Sequence, residues 1–340
     1  VVKEDGLVRV GIVGTGAIAQ VSHFPAYHRI PGVKLTAVCD VDMGKAQRVA
    51  SRYNVPHVTE SFEELARLED VDAVDICLPN HLHAPATLAA LEAGKDVLCE
   101  RPFSRSSEEA AAMVSAAKDR NLILMSGFNN RYREDALLLK RFVAEGEIGR
   151  IFYAKAGWLM QASTWSGAGW RKKKQYAGGG VLMDLGIQML DMALWILGMP
   201  KVLAVSATAN PRPTRDDMES TVSAFLRLAS NNVITLEVSW GLLMERDFAY
   251  VNLFGEKGVA LLNPLRLHKE MHGSLVNVTP NLGSSKNPYK LSYESEIRHF
   301  IDCVRTRARP NSPGEDALAM LRLLEGLYRS ATEGREVEFP

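Results

Sequence analysis

The chain has 340 residues, 46% of them hydrophobic and 24% charged, with Lys+Arg and Asp+Glu both at 40 and a formal net charge of zero. That length accommodates two domains with sizeable cores, and the balanced charge argues against nucleic acid or an anionic membrane surface as the main partner. The four cysteines, Cys39, Cys77, Cys99 and Cys303, have no metal-ligand spacing and predict buried free thiols suited to a reducing cytoplasm; no metal is expected, and no apolar run is read as membrane-spanning.

Taken in order, the first 127 residues alternate apolar β-branched runs with helical stretches. VRVGIVG, KLTAVCD, DAVDICLP, KDVLCE and LILMSGF read as strands buried on both faces. Helical segments lie between them, two opened by a capping box, Ser61 with Glu64 and Ser106 with Glu109. This alternation predicts a doubly wound parallel sheet. After Phe128 come a helix over Asp135–Glu145, then longer strand-like runs that imply a large, mostly antiparallel open sheet. The apolar helix VLMDLGIQMLDMALWILG interrupts them, and two helices close the chain. The expected organisation is an α/β Rossmann domain over 1–127 and an α+β substrate-binding and oligomerisation domain over 128–340, its C-terminal helices packing back on the first.

The first strand runs into Gly14-Thr15-Gly16-Ala17-Ile18-Ala19, a GxGxxA turn that opens a helix. Gly14 permits the tight turn and Gly16 lets a pyrophosphate approach the backbone. Ala17 and Ile18 start the helix whose N–H groups face the phosphates, and Ala19 permits close helix–strand packing. Asp40 ends the second strand near the spacing expected of the acid that binds a ribose hydroxyl. A carboxylate there favours NAD over NADP, because it repels a 2′-phosphate. A glycine turn with an unrelated surface aspartate is the plainer reading, and the strand and helix on either side argue against it.

The stretch LPNHLHAPATLAALEAGKDVLCERPFS, the glycine turn, GGGVLMDLGIQMLDMALWILG and the closing helices together resemble the Gfo/Idh/MocA family of oxidoreductases. The resemblance spans essentially the whole chain. It implies oxidation or reduction of a sugar, polyol, uronic acid or related compound by a nicotinamide cofactor, in a homodimer or homotetramer built through the C-terminal sheet. It also implies that Pro79, Asn80, His83 and Glu100 lie near the cofactor. The family's Glu-Lys-Pro is here Glu100-Arg101-Pro102, and its Asp-x-x-x-His is Asp184 with Gln188.

Those two departures bear on chemistry. Gln188 hydrogen-bonds but does not change charge near neutral pH, and Arg101 is effectively never deprotonated. Losing a general base typically costs about 10²–10⁴ in rate. Arg101, Asp184 and Gln188 are therefore the catalytic candidates, with Tyr132, Trp165, Trp170 and Arg171 as candidate substrate contacts. Plainer roles stand beside these: Asp184 as a helix cap, Gln188 facing solvent or the interface, His83 as a structural histidine. Two other functions fit a depleted proton site, a non-catalytic dinucleotide- or sugar-binding regulator and an NAD-dependent glycosidase or lyase that oxidises its sugar transiently.

Overall fold

The computed structural model describes residues 6–161, 169–211, 218–229, 231–283 and 287–339. Two compact units result: residues up to Tyr132 with Asn287–Ala319, and Arg133–Lys286 with the residues from Met320. The first holds a parallel sheet of β1 (Val8–Val13), β2 (Val33–Cys39), β3 (His57–Thr59), β4 (Ala73–Ile76), β5 (Asp96–Glu100) and β6 (Leu124–Gly127), in the order β3-β2-β1-β4-β5-β6. Parallel strands need crossovers, so both faces are covered and β4 and β5 are buried throughout. Strand order reverses between β2-β1 and β4, the switch point where ligands of such sheets bind.

The helix Pro288–Thr306 belongs to this unit. Its Ile297, Phe300, Ile301 and Val304 join the core formed by Val8, Val10, Ile12, Phe24 and Val38. Ser61 and Ser106 each accept the backbone N–H three residues on at 3.2 Å. Glu109, however, turns its carboxylate to the Arg105 N–H at 2.9 Å rather than to the cap residue.

The second unit is built on a nine-stranded sheet of β7 (Ile151–Gln161), β8 (Val202–Asn210), β9 (Thr221–Leu228), β10 (Val233–Leu242), β11 (Phe248–Gly255), β12 (Gly258–Leu262), β13 (Arg266–Met271), β14 (Ser274–Asn277) and β15 (Val337–Glu338). Its order is β14-β13-β12-β11-β7-β10-β9-β8-β15, and β7 with β10 is its parallel pair. One face is packed by the helix Ile187–Ile196 against β7, β10 and β11. Along β9 buried residues alternate with exposed or partly exposed ones, as a half-covered sheet demands. The segment Lys174–Ile196 is 23 residues long and apolar enough for a membrane span by length and composition, but its apolar window is 94% buried, as in a core helix.

Candidate active site

In the first unit the glycine turn leaves β1 at the switch point. Gly14 has φ +100°, and a Cβ there would lie 2.3 Å from the Cys77 carbonyl oxygen, so only glycine lets β1 pass the end of β4 this closely. Gly16 is the opposite case: a Cβ would meet nothing within 4 Å, which leaves open space over its backbone. Ala17 is exposed at the helix start, Ile18 partly covered, and Ala19 fully buried against the sheet. Asp40 is oriented from within this turn. Its Oδ2 accepts the Thr15 hydroxyl at 2.6 Å and the Thr15 N–H at 2.7 Å, while Oδ1 accepts the Asp42 N–H at 2.9 Å. Burial works to raise its pKa, but these donors outweigh burial and hold the carboxyl below its usual range. Open backbone at Gly16 beside a pre-set carboxylate fits a dinucleotide's pyrophosphate and ribose.

Pro79 and Asn80 follow β4, Asn80 opening a short 3₁₀ turn to Leu82. The buried His83 ring lies 2.7 Å from both the Pro102 and Leu78 carbonyl oxygens. It staples the loop after β4 to the turn after β5, so its observed contacts are structural. Glu100 is the last residue of β5, and its Oε2 accepts the Arg101 N–H at 3.1 Å. The Arg101 side chain is partly exposed, and the Arg101-Pro102 peptide is cis.

Beneath that turn lies a cluster that sequence reasoning missed. His23 is buried, with Nδ1 2.7 Å from Asp75 Oδ2 and Nε2 3.0 Å from Glu100 Oε1. Burial alone would lower the imidazole pKa; Asp75 and Cys77 overcome it and raise the value well above the ordinary one. Glu100 moves the other way: burial raises it, and His23 with Arg101 pulls it below its usual range. His23, Asp75 and Cys77 also have metal-binding donor types. Two ligands on one zinc stand about 3.3 Å apart, given bonds of about 2.0–2.1 Å and a tetrahedral angle. The 2.7 Å His23–Asp75 contact is instead a charge-assisted hydrogen bond. The available signal was Asp75 itself, a carboxylate inside an otherwise apolar buried strand.

In the second unit, Gly178-Gly179-Gly180 leads into a π-helical turn, Leu182–Gly186, and then the helix Ile187–Ile196. A Cβ on Gly179 would sit 2.2 Å from the Tyr328 hydroxyl, and one on Gly180 2.1 Å from the Glu219 carbonyl oxygen. The buried Glu219 caps the helix from outside its own segment. Its Oε1 accepts the N–H groups of Gly180 at 3.1 Å and Leu182 at 3.0 Å, and the Tyr328 hydroxyl at 2.8 Å. Asp184, partly exposed, sits in the π turn, so it is not the helix N-cap. Gln188 is buried and donates its Nε2 to the Asp184 carbonyl at 2.9 Å, correcting the solvent-facing alternative. Asp191, also buried, lies three residues past Gln188 and shares its helix side. Trp170 is partly exposed with the exposed Arg171 guanidinium over its ring at 5.1 Å, whereas Trp165 lies outside the described residues.

Tyr132 does not fit a substrate role. It is buried in the first unit, its hydroxyl 3.0 Å from Ser312 Oγ, and burial pushes its pKa well up. The neighbouring Arg131 is likewise buried, bonded to the Asn311 carbonyl at 2.6 Å and Asp316 at 2.7 Å.

A Rossmann unit with an intact dinucleotide turn, joined to a unit with a large mixed sheet, defines a two-domain nicotinamide-dependent oxidoreductase architecture. Family models agree: residues 8–128 match the NAD-binding Rossmann fold of the oxidoreductase family, and 140–339 its C-terminal alpha/beta domain. The chain belongs to the Gfo/Idh/MocA oxidoreductase family. It is 29% identical to D-glucoside 3-dehydrogenase of Escherichia coli (strain K12), covering 97% of both chains. To levoglucosan dehydrogenase of Pseudarthrobacter phenanthrenivorans it is 29% identical over 75% of this chain and 73% of that one. A solved levoglucosan dehydrogenase in complex with NADH shares the fold, with a TM-score of 0.88 at 24% identity over 98% and 99% of the two chains.

Two predictions follow from these contacts. Glu219→Ala strands two buried N–H groups and a hydroxyl, at about 1–3 kcal/mol for each unsatisfied group. We expect a loss of about 3 kcal/mol or more by denaturant unfolding, and a smaller one for Glu219→Gln, which keeps one acceptor. For His23, the raised pKa means its contribution is complete below about pH 6.5 and is lost as pH climbs through the folded value. The lowered Glu100 contributes fully above about pH 4.5 and is lost as pH falls through its own value. The stability gap between wild type and His23→Gln is therefore expected to be widest between those limits and to narrow on the alkaline side, read from unfolding curves across pH.

Proposed function

We propose that this chain is an NAD(H)-dependent oxidoreductase that converts a hydroxyl to a carbonyl, or the reverse, on a sugar, polyol or uronic acid. The observation that carries the reading is the Gly14–Ala19 turn with Asp40 pre-oriented by Thr15, at the switch point of the β3-β2-β1-β4-β5-β6 sheet. The substrate class is supported by the relatives named as dehydrogenases of a D-glucoside and of levoglucosan. Gly14, Gly16, Ala17, Ile18, Ala19 and Asp40 would hold the dinucleotide, with Pro79, Asn80 and Glu100 forming the strand-end loops beside it. Bound there, the nicotinamide supplies the two-electron exchange with the substrate carbon.

Roles for the remaining residues follow from family position and side-chain chemistry. Arg101 stands at the family's lysine position and stabilises negative charge on the reacting oxygen through its guanidinium donors. Asp184 is the proton acceptor for the hydroxyl, passing the proton to solvent. Gln188 holds the Asp184 backbone and does not exchange protons. Trp170 and Arg171, already paired as aromatic face and cation, suit a carboxylated sugar ring.

The outward side of the nine-stranded sheet carries the exposed Phe225 and Phe248, which supports self-association there as a homodimer or homotetramer. The four unpaired, buried cysteines suit a reducing compartment such as the cytoplasm.

The test is a turnover assay with NAD or NADP against glycosides, polyols and uronic acids, following nicotinamide absorbance and sugar products together. Reduction of NAD by at least one substrate is expected, with Asp184→Asn slower by about 10²-fold or more. Asp40→Ser should shift preference toward NADP by about tenfold or more. The double change Arg101→Lys/Gln188→His should raise rates on neutral polyols. Tight NAD binding without redox change or sugar cleavage on any substrate would overturn the reading in favour of a sensor.

A further inference from the structure

We propose that His23 is a positioning residue for the Glu100-Arg101-Pro102 turn, its ring held between Asp75 on β4 and Glu100 on β5 so that the Glu100 carboxylate, and with it the backbone carrying Arg101, has one orientation. The inference deepens the proposed function, since it takes Arg101 to bind the reacting oxygen.

The geometry is that of a chain of three links. Asp75 Oδ2 meets Nδ1 at 2.7 Å, Nε2 meets Glu100 Oε1 at 3.0 Å, and Glu100 Oε2 receives the Arg101 N–H at 3.1 Å. A carboxylate facing each ring nitrogen calls for a donor on both, which only the imidazolium provides. Each member lies in a different part of the chain, on the π-helical turn Ala19–His23, on β4 and on β5. All three are buried. Glu100 therefore cannot turn toward Arg101 alone or toward His23 alone without leaving a buried polar group unmatched.

The groups around the chain leave His23 as the cation at its centre. Tyr293 of the helix Pro288–Thr306 lies over the imidazole at a centroid distance of 5.5 Å, a neutral phenol whose pKa burial pushes well up. Tyr27 approaches Asp75 from the segment after the π turn, again as a buried phenol, and it also feels Glu296. Cys77 faces His23 from the end of β4 with its thiol pushed up to about 12, mostly by burial. Cys99 on β5 is a buried thiol beside Glu100, shifted well up by desolvation, and His83 faces the same carboxylate with burial favouring its neutral form. Arg101 supplies the other positive charge acting on Glu100. Without the imidazolium, burial would dominate at Glu100 and its carboxyl would take up a proton at higher pH.

The test compares wild type with His23→Gln and His23→Leu, with Asp75→Asn as a milder disturbance should the His23 variants fail to fold. Carbon-13 carboxyl NMR follows the ionisation of Glu100, its signal assigned by loss in Glu100→Gln. We expect the Glu100 midpoint to rise by about one pH unit or more in each variant. In parallel, NAD affinity measured by fluorescence should stay within about twofold, while kcat falls about tenfold or more on the acid side and recovers as pH rises. A merely structural role would lower kcat evenly across pH and leave the Glu100 titration in place; either result in a folded variant overturns the proposal. If wild type turns over no substrate, the proposed function fails, and the NMR titration still decides whether His23 sets Glu100.

Discussion

A carboxylate taken out of water must be met by donors, and that constraint runs through both units. At the carboxyl edge of the parallel sheet, Asp40 is met by Thr15 and the Asp42 N–H, and Asp75 and Glu100 share His23. At the opposite end, Asp96 at the start of β5 is met by the Ile123 N–H and Arg307. In the second unit Glu219 gathers two backbone N–H groups and a phenol. Each arrangement costs desolvation and is repaid only while the geometry holds. The same contacts that make these sites expensive therefore make them well defined, and the candidate polar groups inherit that definition.

Two wide helical turns use this rigidity. Ala19–His23 and Leu182–Gly186 are both π-helical, each carrying a residue with a candidate role, His23 in one and Asp184 in the other. A π turn closes i to i+5, so it rotates following side chains out of the phase an α-helix would impose. In the first, Phe24 N–H donates to Ala19 O just before Pro25, where the chain lacks a donor. In the second, Ile187 N–H reaches back to Leu182 O while the Gln188 side chain takes the Asp184 carbonyl. The glutamine thus adds a side-chain donor to a carbonyl of the turn itself.

The parts legible in the sequence were those written locally. Apolar runs, capping serines and the glycine turn lie within a few residues of each other, and Asp40 follows at a spacing that one βαβ unit fixes. His23, Asp75 and Glu100 were illegible as a set because three separate elements bring them together, and no periodicity links them. Tyr132 misled for a related reason: it lies close in sequence to the family motifs, but Ser312, from the far end of the chain, claims its hydroxyl. Gln188 read as a lost catalytic group from its position alone, whereas its bond to its own helix was invisible without the π turn. The extra helix Pro288–Thr306 in the first unit follows the same logic, since only packing reveals which core Ile297 and Phe300 complete.

An arginine after Glu100 differs from a lysine in what it does with protons, and Arg101 acts electrostatically on the Glu100 carboxylate. A lysine there would carry a charge that depends on its surroundings, since burial or a nearby like charge favours the neutral amine. Arginine does not titrate in this range, and its planar fork keeps donors available whatever the neighbouring proton inventory. Relative to a lysine, an arginine gives up proton shuttling and keeps a constant charge. In the second unit Gln188 is likewise a side chain that does not titrate, and its amide donates to the Asp184 carbonyl. On the proposed reading, charge stabilisation falls to Arg101 and proton transfer to the partly exposed Asp184.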